Sequence, residues 1–188
     1  KDAVGEGRLG WQVGVQGRDP EPMLRQARTN FGILRQQGAI FLDAQQHLAL
    51  AHLVDALHLS RKQQSPTPAL RLLDDALGQC FQNVAKDPTC HSLRIRKEWL
   101  EAERKTQGAE AHLLRTLASA EDLTNRRPRL PDAWWVLAET HLRLARLLRN
   151  QPQQREIQLR AGLAAADKLL ADSPAHVMGL VAKGNLYL

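Results

Sequence analysis

A chain of 188 residues, 43% apolar and 24% charged, is long enough to bury a core as one large domain or a short repeat array. Leu (32) and Ala (25) dominate and aromatics reach only 4%, which excludes a β-sandwich or barrel; two cysteines exclude a disulfide scaffold or a four-cysteine zinc site. The net charge of +6 favours an acidic partner, but the positive charge is scattered. Its densest run is Arg126, Arg127 and Arg129, followed by Arg143, Arg146 and Arg149, and a solvated helical surface accounts for it.

Apolar periodicity is helical almost throughout, and no segment reads as a strand. The first segment, 8–17, is the weakest helix, because Gly10, Gly14 and Gly17 each cost about 1 kcal/mol against Ala. The next spans 20–36, after the break Gly17-Arg18-Asp19-Pro20. Helices at 42–63 and 67–86 follow, divided by Ser65-Pro66-Thr67-Pro68. Asp19 and Ser65 each stand before a Pro and are expected to cap the helix that follows. Asp87-Pro88 opens a helix at 89–106, and Gly108 precedes one at 109–126. Pro128 and Pro131 bound a turn before 131–150; Pro152 starts 153–172, and Ser173-Pro174 leads to 175–188. The connections are short, so consecutive helices are expected to be antiparallel neighbours.

An internal repeat organises these segments. Asp19-Pro20-Glu21-Pro22-Met23-Leu24 is matched 46 residues later by Ser65-Pro66-Thr67-Pro68-Ala69-Leu70. Asp87-Pro88, Arg127-Pro128 and Ser173-Pro174 each close a helix, at separations of 40 and 46 residues. A period of 40–47 residues holding two helices marks an α-solenoid, since one hairpin cannot bury both its apolar faces. The expected units are 1–41, 42–88, 89–128, 129–174 and a partial 175–188, within a single domain.

Pro131-Asp132-Ala133-Trp134-Trp135-Val136-Leu137-Ala138-Glu139-Thr140-His141 resembles the first helix of the tetratricopeptide-repeat family, with Trp134, Leu137 and Ala138 at its bulky, Leu and small positions. His141 stands where an aromatic is usual. Leu180, Gly184 and Tyr187 repeat the pattern, with Lys183 in place of Leu. Ala76, Cys80, Asn83 and Pro88 resemble the second-helix pattern, Asn83 being a departure. The resemblance implies an all-α, right-handed stack of about four antiparallel hairpins, first helices lining a concave face. A narrower resemblance, carried by Gly17 to Leu24 and the long period, is to repeats C-terminal to bacterial serine/threonine protein kinases. No kinase motif is present. The absence of an initiator Met and the apolar last residues read as a fragment of a longer protein, and the first residues lack a signal-peptide core. A cytoplasmic protein is expected.

Seven histidines, His47, His52, His58, His91, His112, His141 and His176, include no i,i+4 pair, so no metal site is expected. Cys80 reads as a small core residue and Cys90 as the first turn of the next helix, with no disulfide in a reducing cytoplasm. No cofactor motif and no catalytic constellation is recognisable; Gly5-Glu6-Gly7-Arg8-Leu9-Gly10 matches a dinucleotide fingerprint only formally, without its strand.

Adjacent helical residues point about 100° apart, so Trp134 and Trp135 cannot share one core. With Trp134 at the packing position, Trp135 either packs against a neighbouring hairpin or lines the concave groove. Glu139 and Arg143 continue its stripe at i+4 and i+8. Ile95 and Trp99 occupy the same stripe one repeat earlier, and Val181 and Asn185 one repeat later. The expected function is a non-catalytic protein-interaction scaffold, a regulatory or recruiting part of a larger bacterial protein. Ile95, Trp99, Trp135, Glu139, Arg143, Val181 and Asn185 would bind a protein or acidic peptide. The alternatives are a nucleic-acid-binding solenoid and a homodimer formed through open helix ends; no membrane partner is expected.

Overall fold

The computed structural model describes residues 42–187 except 86 and 106, and six positions between 22 and 33. The described residues hold seven α-helices and no strand. They are α1 (Leu42–Arg61), α2 (Thr67–Asn83), α3 (Pro88–Glu103), α4 (Ala109–Arg126), α5 (Pro131–Leu147), α6 (Pro152–Asp172) and α7 (Val177–Leu186). The expected segment 8–17 lies outside the described residues. Of 20–36, the described positions Pro22, Arg25, Gln26, Thr29, Asn30 and Ile33 are helical. Pro128 and Pro174 fall in the turns that follow α4 and α6, as expected of residues that cannot continue a helix.

The chain divides into two compact units, 1–93 and 94–188, and the division falls inside α3. In the first unit α1 and α2 pack together. Each contributes a stripe at helical spacing: Ala49, Leu53 and Ala56 from α1, and Ala69, Leu73, Ala76 and Cys80 from α2. Ser65 does not cap α2. Its hydroxyl bonds the Thr67 hydroxyl at 3.0 Å, and the helix begins instead on the proline pair around Thr67, which needs no amide partner. Asp87 does cap a helix: its Oδ1 accepts from the Cys90 amide at 2.8 Å and from Gln46 Nε2 of α1 at 3.0 Å.

The cysteines differ from the sequence expectation. Cys80 and Cys90 form a disulfide. The connection between α2 and α3 is so short that the last turn of one and the first turn of the other meet, with a Cα–Cα distance of 6.6 Å, within bridging range. Both residues are fully buried, and the Phe81 and His91 rings pack beside them with centroids 4.9 Å apart.

In the second unit α5 is the central element. It packs against α4, α6 and α7. Ten of its residues are buried, including Ala133, Val136, Ala138, Thr140 and Leu144, so it presents apolar or small side chains on most sides. By contrast α4 buries one stripe, Leu113, Thr116, Ala120, Leu123 and Thr124. Gly162 of α6 sits where α5 and α7 both approach: a Cβ there would lie 2.8 Å from Leu186 Cδ2 and 3.1 Å from His141 Cβ. His141 is held in place by a 2.7 Å bond between its Nδ1 and Gln158 of α6. Burial pushes its imidazole below the usual histidine range, with Gln158 and Glu121 opposing the shift.

Two glycine substitutions separate helix propensity from packing. Gly78 of α2 has nothing within 4 Å of an added Cβ, so Gly78→Ala should stabilise by about 0.5–1 kcal/mol through propensity alone. Gly162→Ala gains the same propensity but pushes against the His141 Cβ, which the helix backbone fixes, and should lose about 1–3 kcal/mol overall. Urea unfolding of both variants checks the opposite signs.

Candidate partner-binding surface

Five of the seven stripe residues, Ile95, Trp99, Trp135, Glu139 and Arg143, meet in one cluster in the second unit. Trp99 of α3 and Trp135 of α5 meet edge to face, with centroids 5.8 Å apart and planes at 87°. A buried indole N–H needs an acceptor, and Trp99 Nε1 donates to Thr140 Oγ1 at 2.9 Å. Thr140 in turn donates to the Val136 carbonyl at 2.6 Å, so its hydroxyl is used in both directions. A guanidinium lies over each ring: Arg96 over Trp135 and Arg143 over Trp99, each 4.8 Å from the centroid.

These guanidinium groups sit in an apolar wall, and that wall sets their electrostatics. Burial pushes Arg96 down to about 10, with Asp132 at the start of α5 opposing the shift. Arg143 is also lowered to about 10, first by burial and then by the repulsion of Arg146 and Arg96. Arg143 answers with two acidic contacts, an ion pair with Glu103 of α3 and one with Glu139 at 3.3 Å. Among the described residues its Nε finds no hydrogen-bond partner. Burial raises the Glu139 carboxyl above the usual glutamate range, and Arg146 partly reverses this.

Burial orders the seven stripe residues. Ile95, Trp99 and Trp135 are 1%, 3% and 6% exposed and belong to one hydrophobic core. Of the two placements open to Trp135, packing between neighbouring helices is the one found. Trp134 is the shallower of the pair: its Nε1 donates to the Pro128 carbonyl at 2.7 Å and Lys168 of α6 lies 6.0 Å from its ring. Glu139 and Arg143 are half-buried at the edge of the cluster. Val181 and Asn185 lie on α7, Val181 exposed and Asn185 half-buried. Sequence reasoning passed over Arg96 and Thr140, and placed Glu103 on the stripe of α3 only as an alternative to Ala102. Glu103 lies 40 residues before Arg143 and Thr140 lies 41 after Trp99, so the repeat period carried the signal for both.

A second cluster, Cys80, Asp87 and Cys90, has ligand-type atoms within 4.8 Å of one another. A disulfide offers no thiolate, and Asp87 Oδ1 already accepts two hydrogen bonds, so this donor set is committed to the protein itself. No described helix is long and apolar enough to cross a membrane. Comparison with protein families, curated proteins and solved structures finds no match.

The Glu139 environment has a pH consequence. Its carboxyl titrates higher in the folded than in the unfolded chain, where the ordinary value is 4.5. The stability it contributes is full below that value and is lost as pH rises through the folded value. Glu139→Gln should therefore gain on the parent as pH is raised from about 4 to 7. Unfolding free energies measured across that range check the trend; a constant offset between the two proteins would contradict it.

Proposed function

We propose that the chain is a non-catalytic protein-interaction scaffold, built as a right-handed array of tetratricopeptide-like helix hairpins and serving as a recruiting or regulatory part of a larger protein. The recurrence of contacts at the repeat period is the observation that carries this reading. Gln46 bonds Asp87 across 41 residues, Trp99 bonds Thr140 across 41, and Glu103 pairs with Arg143 across 40. Buried positions recur with the same spacing: Leu93, Arg96 and Leu100 of α3 correspond to Ala133, Val136 and Thr140 of α5. Such spacing is what stacked, near-identical hairpins require, because each repeat touches chiefly its neighbours.

The partner-facing chemistry then lies at the edge of the aromatic cluster. Ile95, Trp99 and Trp135 support it from beneath. Arg143, Glu139 and the exposed Arg146 present charge at the rim, with Val181 and Asn185 continuing the stripe on α7. Arg143, repelled by Arg146 and Arg96, favours a ligand that brings carboxylates, hence an acidic peptide. The Cys80–Cys90 bond weighs for an oxidising compartment rather than the cytoplasm.

Selection of displayed peptides against the intact chain tests the reading. An enriched acidic family is expected, bound roughly 5- to 100-fold more weakly, about 1–3 kcal/mol, by Arg143→Ala or Arg146→Ala with helicity retained. No enrichment, or enrichment indifferent to both substitutions, would contradict it. So would preferential capture of nucleic acid with a steep salt dependence.

A further inference from the structure

Helix α7 is the shortest described helix, ten residues, too short to hold its form alone in water. Packing on α6 is one support. A Cβ on Gly179 would lie 2.8 Å from Leu169 Cδ2 and 3.1 Å from Leu170 Cδ2, Leu186 approaches Gly162, and Lys183 pairs with Asp167 at 2.6 Å. The other support is the N-cap, which is a histidine. The His176 backbone is extended, its carbonyl accepts from the Leu180 amide at 3.0 Å, and its Nδ1 accepts from the Gly179 amide at 3.1 Å. Gly179 is thus both a point of close approach to α6 and the residue whose amide the ring satisfies. An imidazole can do this only while neutral. Because the Gly179 N–H donates, Nδ1 holds a lone pair and the ring proton is on Nε2. Protonation puts an N–H on Nδ1 as well, so that donor faces donor. It also sets a positive charge at the positive end of the helix dipole, and α7 has no acidic residue in its first turn to offset it.

We propose that His176 is a pH-sensitive clasp: neutral, it fixes the start of α7 on α6, and charged, it lets that helix go while the rest of the second unit stays folded. The cap is made by the neutral ring. Helix α7 is therefore held near neutral pH and loosened as pH falls through the range in which imidazoles charge. The charged groups of the neighbouring elements have other engagements or are exposed. On α6, Asp167 pairs with Lys183, Lys168 lies over the Trp134 ring, and Asp172 at the helix end is exposed. On α5, which also packs against α7, Asp132 acts on Arg96, and Glu139, Arg143 and Arg146 act on one another. A second histidine lies near the other end of α7. His141 bonds Gln158, and its Cβ borders the space at Gly162 that Leu186 also approaches. Burial lowers its titration, and Gln158 and Glu121 oppose that shift. A substitution at 176 alone therefore separates the two rings. The clasp does not depend on the scaffold reading, since it concerns only how α7 is held.

Amide hydrogen exchange of the intact chain, read by mass spectrometry and corrected for the chemical exchange rate, tests the clasp. Protection of α7 is compared with that of α4 in the same sample, which removes any general acid destabilisation. Between about pH 7.5 and about pH 5 the ratio is expected to fall roughly five-fold or more in the parent. His176→Asn keeps a cap acceptor that does not titrate, and its ratio should stay level across that range. His176→Ala has no acceptor, so its ratio should be low at both ends. A level ratio in the parent overturns the proposal. A fall in His176→Asn as large as the parent's also overturns it and assigns the response to His141 or another group. Parent-like protection of His176→Ala near neutral pH would show that the cap holds nothing, which overturns it as well.

Discussion

The second unit depends on one buried junction, the edge-to-face meeting of Trp99 and Trp135. These two side chains come from helices 40 residues apart in register, and they carry most of the aromatic area at the centre of the core. Burying an indole is favourable only if its N–H is satisfied, which Thr140 does from within α5. Burying a guanidinium is costly unless charge or aromatic faces replace water. Arg96 and Arg143 accept that cost over the two rings, and Glu103, Glu139 and Asp132 limit it. The arrangement ties α3 to α5 by shape, hydrogen bonding and charge together. A shift of either helix by one residue would break all three.

The first unit uses a different device at the comparable place. Instead of an aromatic cluster, the disulfide Cys80–Cys90 and the cap on Asp87 fix the start of α3, with Gln46 of α1 reaching the same carboxylate. Closing a loop of about ten residues removes freedom mainly from the unfolded chain, by roughly 2–3 kcal/mol. Both devices place polar atoms in buried positions and pair them, and one bond in each, Gln46 to Asp87 and Trp99 to Thr140, spans 41 residues, close to the repeat period.

Much of the helical layout was legible because its signals are local. Pro131 and Pro152 stand within the first turn of α5 and α6, and the Pro128 and Pro174 turns fall where residues that cannot donate an amide must fall. The disulfide was not legible, since whether two cysteines ten apart meet depends on how tightly the chain turns at 84–87. The placement of Trp135 stayed open for a similar reason. Periodicity says that adjacent residues diverge, but not which of them faces the more crowded side. That choice is made by α3, whose Trp99 and Arg96 offer Trp135 an aromatic edge and a cation, whereas Trp134 bonds the Pro128 carbonyl and faces Lys168 of α6. Glu139 and Arg143 were found because i+4 spacing is intrinsic to a helix, and their pairing with each other follows from it.

The central claim is that Trp135 pins α5 to α3 rather than lining an open surface. Equilibrium urea unfolding of Trp135→Ala, followed by far-ultraviolet circular dichroism, tests it most directly. The account predicts a loss of about 3–5 kcal/mol, because the substitution empties a packed core and leaves Arg96 without its ring. An unfolding midpoint equal to that of the parent would contradict it and return Trp135 to the exposed stripe.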